Sequence, residues 1–77
     1  MLSFITYKNV PEQIEILLDE TGIDDMILYL TSLKRTKDHL HLIVGNELDS
    51  YAVLPDQEPI ICSVKHVRLE YMQEDKS

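Results

Sequence analysis

The sequence predicts a small α+β domain of two layers, in which one amphipathic helix packs on one face of a mostly antiparallel sheet of about four to five strands. The chain has 77 residues, and its composition, 44% hydrophobic and 27% charged, is typical of a globular protein. Apolar residues alternate with polar ones in several segments and recur at helical spacing in one. We expect residues 1–72 to form a single domain and residues 73–77 to be a charged, disordered tail.

Two segments near the start of the chain are predicted to be strands. Residues 2–7 are rich in β-favouring side chains, and Pro11 separates them from the next segment. Residues 12–19 alternate with a period of two, which places Ile14 and Leu17 on different faces of the strand. This alternation is typical of a strand with one buried face.

The helix is predicted over residues 23–35. Thr21 and Asp24 have the spacing of a capping box, in which the first residue caps the helix and the acid lies three positions later. Acidic residues lie in the first turn and basic residues in the last, which suits the helix dipole. One apolar stripe follows from the helical spacing of Ile23, Met26, Ile27, Leu30 and Leu33.

The second half of the chain is predicted to supply the remaining strands. Residues 38–44 alternate, and residues 51–54 are a candidate for a short strand. Residues 60–72 form a long β-favouring run whose apolar positions change phase at Lys65 and His66. A β-bulge explains this change, and so does a strand that leaves one partner for another. The helix is expected to cover a sheet face made by Ile14, Ile16, Leu18, Leu40, Leu42, Val44, Val67 and Leu69.

Charge and cysteine content exclude several classes of protein. Seven basic and fourteen acidic residues give a net charge of −7, which argues against binding to nucleic acid or to an anionic membrane surface. Cys62 is the single cysteine, so no internal disulfide forms, and its apolar neighbours predict an inert core thiol. The chain shows neither a signal-peptide pattern nor an apolar run of membrane-spanning length. We therefore expect a cytoplasmic protein.

The three histidines are the first candidate functional group. His39 and His41 are two positions apart and share a strand face, and His66 lies on the outer phase of the last strand. If these strands pair, three imidazoles converge, and such a set can bind zinc. The alternative, which we favour, is a polar sheet face that carries histidine without a metal or any other cofactor. Since no nucleophile motif accompanies them, we do not expect an enzyme.

Acidic residues and two apolar residues complete the set of candidates. The acidic ones lie in the loops around residues 51–54, and they are either solvated or form a surface that docks on a basic protein. Leu17 and Ile43 are expected on the sheet face that the helix leaves open, where a second copy of the chain could pair. The loop candidates are Glu47, Asp49, Asp56 and Glu58, together with Tyr51 among them.

Three short motifs carry a resemblance to a known family. They are D-H-L-H-L at residues 38–42, G-N-E-L at residues 45–48 and H-V-R-L-E-Y at residues 66–71. With their order along the chain, over residues 14–71, they resemble the immunity protein 32 family of bacterial polymorphic toxin systems. Members of that family are small intracellular proteins thought to neutralise a cognate toxin.

The resemblance implies inhibition of a protein toxin by direct binding, without catalysis. The residues that match the motifs, and that it implies for partner binding, are His39, His41, Asn46, Glu47 and His66. The acidic loop residues and Tyr51 are added from their charge and position alone. The alternative hypothesis is a small homodimeric module without catalytic activity, which pairs through Leu17 and Ile43 on its open sheet face.

Overall fold

A computed structural model describes residues 1–73 of the chain. It has one helix packed against antiparallel sheets, so the predicted α+β class is confirmed. Except for Gln73, the predicted C-terminal tail lies outside the described residues. The elements are β1 (Leu2–Tyr7), β2 (Val10–Leu18), α1 (Glu20–Thr36), β3 (His39–Ile43), β4 (Ile61–Ser63) and β5 (His66–Glu70).

The five strands divide between two sheets. One sheet has the order β2-β1-β4, and the other consists of β3 and β5. The change of phase at Lys65 and His66 marks the passage between them. Val64 N–H donates to the Phe4 carbonyl in β1 (2.9 Å), and the Lys65 carbonyl accepts from Val44 N–H, directly after β3 (3.0 Å). Of the two predicted explanations, the strand that changes partner is the correct one.

The helix begins three residues earlier than the sequence predicts. Asp19, not Thr21, is the N-cap, and its carboxylate accepts from Gly22 N–H at 2.9 Å. The reason is tertiary, because Asp19 N–H donates to the Met1 carbonyl and so holds the end of β2 next to the start of the chain. At the other end, Lys37 adopts the left-handed conformation (φ 56°) and its N–H closes the last turn.

The core forms where β1 meets β3 and the turn that follows β3. Its fully buried members are Leu2, Phe4, Leu42 and Leu48. Ile14, Ile16 and Leu18 were expected in the core, but 54%, 41% and 39% of their surface is exposed. Their phase is as predicted, since Leu18 pairs with Leu2 and Ile16 with Phe4, on the core side of the sheet. They are exposed because β2 is at the edge of the three-stranded sheet, beyond the elements that pack on the core.

The helix turns only part of its predicted apolar stripe to the core, namely Met26 and Leu33. Gly22 and Leu33 are buried, and Met26 and Tyr29 pack against the core. By contrast, much of the predicted stripe is exposed: Ile23 by 49%, Ile27 by 57% and Leu30 by 48%.

The other face of the three-stranded sheet is not open, as the sequence predicts, because Ser3 and Ile5 on that face are buried. Asp49 N–H donates to the Leu2 carbonyl (2.8 Å), and the Ser3 hydroxyl donates to the Asp49 carbonyl (2.8 Å). Lys8 N–H donates to the Ile60 carbonyl (2.6 Å). These bonds fasten the connection between β3 and β4 to β1, and Leu17, on the same face as Ile5, is half-buried.

The predicted strand over residues 51–54 does not form. The Leu54 carbonyl instead accepts from the N–H groups of Gln57 and Glu58, and the Gln57 side chain accepts from Leu54 N–H. These bonds bend the chain into turns before β4. Among the described residues, no helix is long and apolar enough to cross a membrane.

Candidate functional site

The three histidines lie on the outer face of the two-stranded sheet. In its antiparallel register, Ile43 is opposite His66, His41 is opposite Arg68, and His39 is opposite Glu70. Directly opposed residues share a face, because the pleats of paired strands are in phase. All of these side chains are exposed, whereas Leu42 on the other face is fully buried. We call the three histidines the histidine face.

The imidazoles of the histidine face are in mutual contact. His41 Nδ1 lies 2.7 Å from His66 Nε2, which is a hydrogen-bond distance. The ring centres of His39 and His41 are 5.1 Å apart in an edge-to-face arrangement, and those of His41 and His66 are 4.9 Å apart. The convergence predicted from the sequence is therefore present. It follows from period-two alternation on two strands that pair.

Charged groups border the histidine face on both strands. Asp38 Oδ1 lies 2.8 Å from His39 Nδ1. Arg68 donates through both terminal nitrogens to the two carboxylate oxygens of Glu70, at 3.3 and 3.4 Å. The surface therefore offers hydrogen-bond donors and acceptors on a regular strand scaffold, which keeps their spacing constant.

The contact between His41 and His66 suits a hydrogen bond better than a shared metal ion. Two nitrogens bound to one tetrahedral zinc at about 2.0–2.1 Å stand about 3.3 Å apart, farther than the 2.7 Å found here. Within residues 1–73, no group of three or more histidine, cysteine or acidic residues is placed to hold a metal ion.

The turn after β3 extends the site beyond the histidines. Glu47 Oε1 accepts from Ile43 N–H (3.2 Å), and Asn46 N–H donates to the Ile43 carbonyl (3.0 Å). Because Ile43 is opposite His66, the turn lies at the His66 end of the histidine face. Leu48 holds the turn in place, since it is 2% exposed and belongs to the core. Strand and helix periodicity did not indicate this anchor, although a leucine within a polar turn was a signal for it.

The remaining acidic candidates are held by other elements. Asp49 Oδ2 accepts from Leu2 N–H (3.0 Å), so this carboxylate fastens the connection to β1. Asp56 and Glu58 are exposed on the turns before β4, where the Glu58 carbonyl accepts from Lys8 Nζ (3.1 Å). Tyr51 is half-buried. The predicted partner-binding residues therefore form two groups, one at the histidine face and one on the connection that contacts β1.

Two tyrosines outside the predicted set have altered acidity. The Tyr7 hydroxyl donates to Glu15 Oε2 at 2.6 Å, and this bond raises the pKa of Tyr7 above its ordinary value. Burial raises the pKa of Tyr29, with smaller contributions from the charges of Asp25 and Glu47. The influence of Glu47 places the turn after β3 near the helix. The bond between Tyr7 and Glu15 crosses the β1–β2 hairpin, which the sequence pattern did not indicate.

Cys62 is not the buried core thiol that the sequence predicts. Cys62 lies on β4, the short edge strand of the three-stranded sheet, where it pairs with Thr6 of β1. Its side chain is exposed. Edge strands leave part of their side-chain surface uncovered, which accounts for the difference.

The chain matches no protein-family model, no curated protein and no solved structure.

Proposed function

We propose that the protein is a small immunity-type protein of the bacterial cytoplasm that neutralises a cognate toxin by direct protein–protein binding. The observation that supports this proposal most is the grouping of His39, His41 and His66 with the turn that carries Asn46 and Glu47. These are the residues that carry the resemblance to the immunity family. They come from three separate segments, yet the histidines share one exposed face and the turn lies at its His66 end.

The chemistry of this surface suits recognition of a protein. One nitrogen of each imidazole is engaged within the protein, and the second can donate to or accept from a partner, while the strands hold the rings in contact. Binding through such a surface blocks a toxin without any catalytic step in the inhibitor, so no nucleophile or cofactor is needed. The net charge of −7 adds long-range attraction to a basic partner, which speeds association.

The second group of candidates belongs to the proposal through charge. Asp56 and Glu58 are exposed, and neither side chain is engaged in an ion pair among the described residues. Asp49 and Tyr51 lie earlier on the same connection. We propose that the three carboxylates, with Tyr51 among them, form an acidic margin that steers a basic toxin, while the histidine face makes the specific contacts.

The proposal is tested by affinity capture from lysate of the source cells. Tagged protein is washed at low salt and at about 0.5 M salt, where surface electrostatics are largely screened. We expect one stoichiometric partner that carries a toxin domain and survives the high-salt wash. Co-expression with that partner should restore the growth of cells that the partner alone arrests.

Matched variants connect the capture to the histidine face. His41→Ala combined with His66→Ala should abolish retention at high salt, whereas Thr31→Ala, exposed on α1, should leave it unchanged. Capture of the toxin equally by both variants would show that the histidine face is not the binding surface. A captured partner whose toxicity the protein does not relieve would refute the immunity function.

The alternative is a homodimeric module without catalytic activity. Its predicted pairing residues do not lie on one face, because Leu17 is half-buried in the three-stranded sheet and Ile43 is exposed in the two-stranded sheet. If the chain pairs through these residues, the double variant Leu17→Asp, Ile43→Asp should be a monomer. Light scattering measures its mass. A different surface is better suited to self-association.

A further inference from the structure

Two neighbouring elements expose apolar side chains that the fold of one chain leaves uncovered. On β2 they lie on the core side of the sheet, in phase with Leu2 and Phe4. On α1 they lie beside the face that packs against the core. Large apolar side chains exposed in a contiguous group are typical of an interface. We call this group the β2–α1 surface, and its members are Ile14, Ile16, Leu18, Ile23, Ile27 and Leu30.

The backbone of β2 adds an unpaired edge to this surface. Among residues 1–73, β2 pairs with β1 on one side only, in the order β2-β1-β4. It has nine residues, whereas β4, at the other edge, has three. Long apolar edge strands attract a further strand unless charged side chains, proline, a bulge or a short length protects them. On β2 these features lie mostly near its start, in Pro11, Glu12 and the irregular pairing between Val10 and Ile14, and residues 14–18 carry a single charge, Glu15.

The surface area of the chain is large enough to include a dimer interface. The chain exposes 5959 Å², whereas a compact monomer of 9.0 kDa exposes about 4,850 Å². The excess of about 1,100 Å² is greater than the roughly 800 Å² that each partner buries in a standard interface. The radius of gyration, 14.5 Å, is likewise larger than the ~11.5 Å expected for a chain of this length.

We infer that a second copy of the chain covers the β2–α1 surface, with β2 of one copy pairing antiparallel to β2 of the other across a two-fold axis. The two three-stranded sheets then join into one sheet with the order β4-β1-β2-β2-β1-β4. An axis perpendicular to this sheet keeps both helices on the same face, on either side of the joint. The apolar residues of β2 and α1 are then buried together.

The charges on β2 select the register of this pairing. With Ile16 at the two-fold axis, Ile14 is opposite the partner's Leu18, and Glu15 is opposite the partner's Leu17. A register centred on Glu15 places two carboxylates opposite each other, and one centred on Leu17 places Glu15 opposite Asp19. Like charges directly opposite each other destabilise a sheet. A centre at Ile14 brings Pro11 into the ladder, where it has no N–H to donate.

The oligomeric state of matched variants tests the proposal. Sedimentation equilibrium across about 1–100 µM, a range that covers micromolar affinity, should show a dimer for the parent chain. Ile16→Lys should be monomeric, because it places two ammonium groups at the axis. Ile43→Lys is the control, since Ile43 is equally exposed (40% against 41%) but lies on the other sheet. It should remain dimeric, and far-ultraviolet circular dichroism checks that both variants are folded.

A cross-linking experiment tests the register and does not depend on a destabilising charge. In a Cys62→Ser background, Ile16→Cys should form a disulfide-linked dimer with oxidised glutathione as the electron acceptor. Opposed Cα atoms in an antiparallel pair are about 4.5–5.5 Å apart, within the range that a disulfide spans. Leu18→Cys is the control, because its counterpart in the partner is about 13 Å away along the strand.

Either experiment can overturn the proposal. A parent chain that is monomeric over the whole range, or an Ile16→Lys variant that is folded and dimeric, would refute it. Equal cross-linking of the two cysteine variants would refute the register. The histidine face lies on β3 and β5, away from the proposed dimer interface on β2. A variant that loses the dimer but still captures the toxin, or one that loses capture but remains dimeric, therefore separates this proposal from the proposed function.

Discussion

Gly22 illustrates how one residue in the first turn of α1 depends on a distant part of the chain. A Cβ added at this position would lie 1.8 Å from the Met1 carbonyl oxygen. That carbonyl cannot move freely, because it accepts a hydrogen bond from Asp19 N–H at 3.2 Å. Glycine is therefore required here by a close backbone approach, although the residue lies within a helix.

Gly22→Ala should lower the free energy of unfolding by about 1–2 kcal/mol, through displacement of Met1 and loss of its hydrogen bond. Helix propensity alone predicts the opposite sign, since alanine favours a helix over glycine by about 1 kcal/mol. Urea unfolding measures the difference. Thr31→Ala, exposed on the same helix, is the control and should change stability by less than about 0.5 kcal/mol. A Gly22→Ala chain more stable than the parent would contradict the close approach.

Asp19 should make the stability of the chain depend on pH. The hydrogen bond from the Met1 amino group, and then the one from Gly22 N–H, lower the pKa of this carboxyl below its ordinary value of 3.8. Because the pKa is lower in the folded state, the carboxylate stabilises the fold above pH 3.8 and loses this effect as the pH falls through the folded pKa.

Asp19→Asn keeps the capping oxygen but removes the titration. The parent chain should be the more stable of the two at neutral pH, and the difference should shrink as the pH falls below 3.8. Thermal unfolding of both chains over a series of acidic buffers measures it. A difference that does not change with pH would show that the charge of Asp19 has no part in stability.

At the scale of elements, the turn after β3 behaves as part of the core. Leu48 is 2% exposed and packs with Leu2, Phe4 and Leu42. Leu48→Ala should therefore cost about 2–4 kcal/mol of unfolding free energy, comparable with Leu42→Ala in the strand. Leu54, 57% exposed in the next connection, is the matched control, and its replacement by alanine should have little effect on denaturant unfolding. Equal losses at the two loop leucines would contradict the anchoring role of Leu48.

The elements also show how much of the site could be predicted. The convergence of His39, His41 and His66 followed from alternation, because period two places residues on a common face whatever lies on the other side. The role of Leu48 could not be found in this way, since a turn has no period. Cys62 was misplaced because alternation marks a face, while burial depends on whether another layer covers it.

For the whole molecule, self-association should appear in thermal stability. A partner that binds only the folded chain stabilises it by mass action, so the melting temperature of a dimer rises with protein concentration. The parent chain should melt higher at about 500 µM than at about 5 µM, while Ile16→Lys should melt at one temperature throughout. Calorimetry at the two concentrations measures the shift. A parent chain whose melting temperature does not change with concentration would argue against the β2–α1 interface.

The two sheets are a second property of the whole molecule. One continuous run of β-favouring residues supplies β4 to the first sheet and β5 to the second. Consecutive backbone groups of Val64 and Lys65 bond to different sheets, which joins the two layers at this point. The phase change was visible in the sequence, but the choice of partners was not.

The sequence by itself determined the kind of each main element, the phase of β2, β3 and β5, and the common face of the histidines. These follow from local rules, in which the backbone period and side-chain type decide the outcome. Only the tertiary structure decided which apolar faces are covered, that Asp19 rather than Thr21 caps the helix, and that the strands form two sheets. Such choices depend on contacts between residues far apart in the chain, such as Met1 with Asp19 and Phe4 with Val64. A periodic pattern records which residues share a face, but not which element packs against that face.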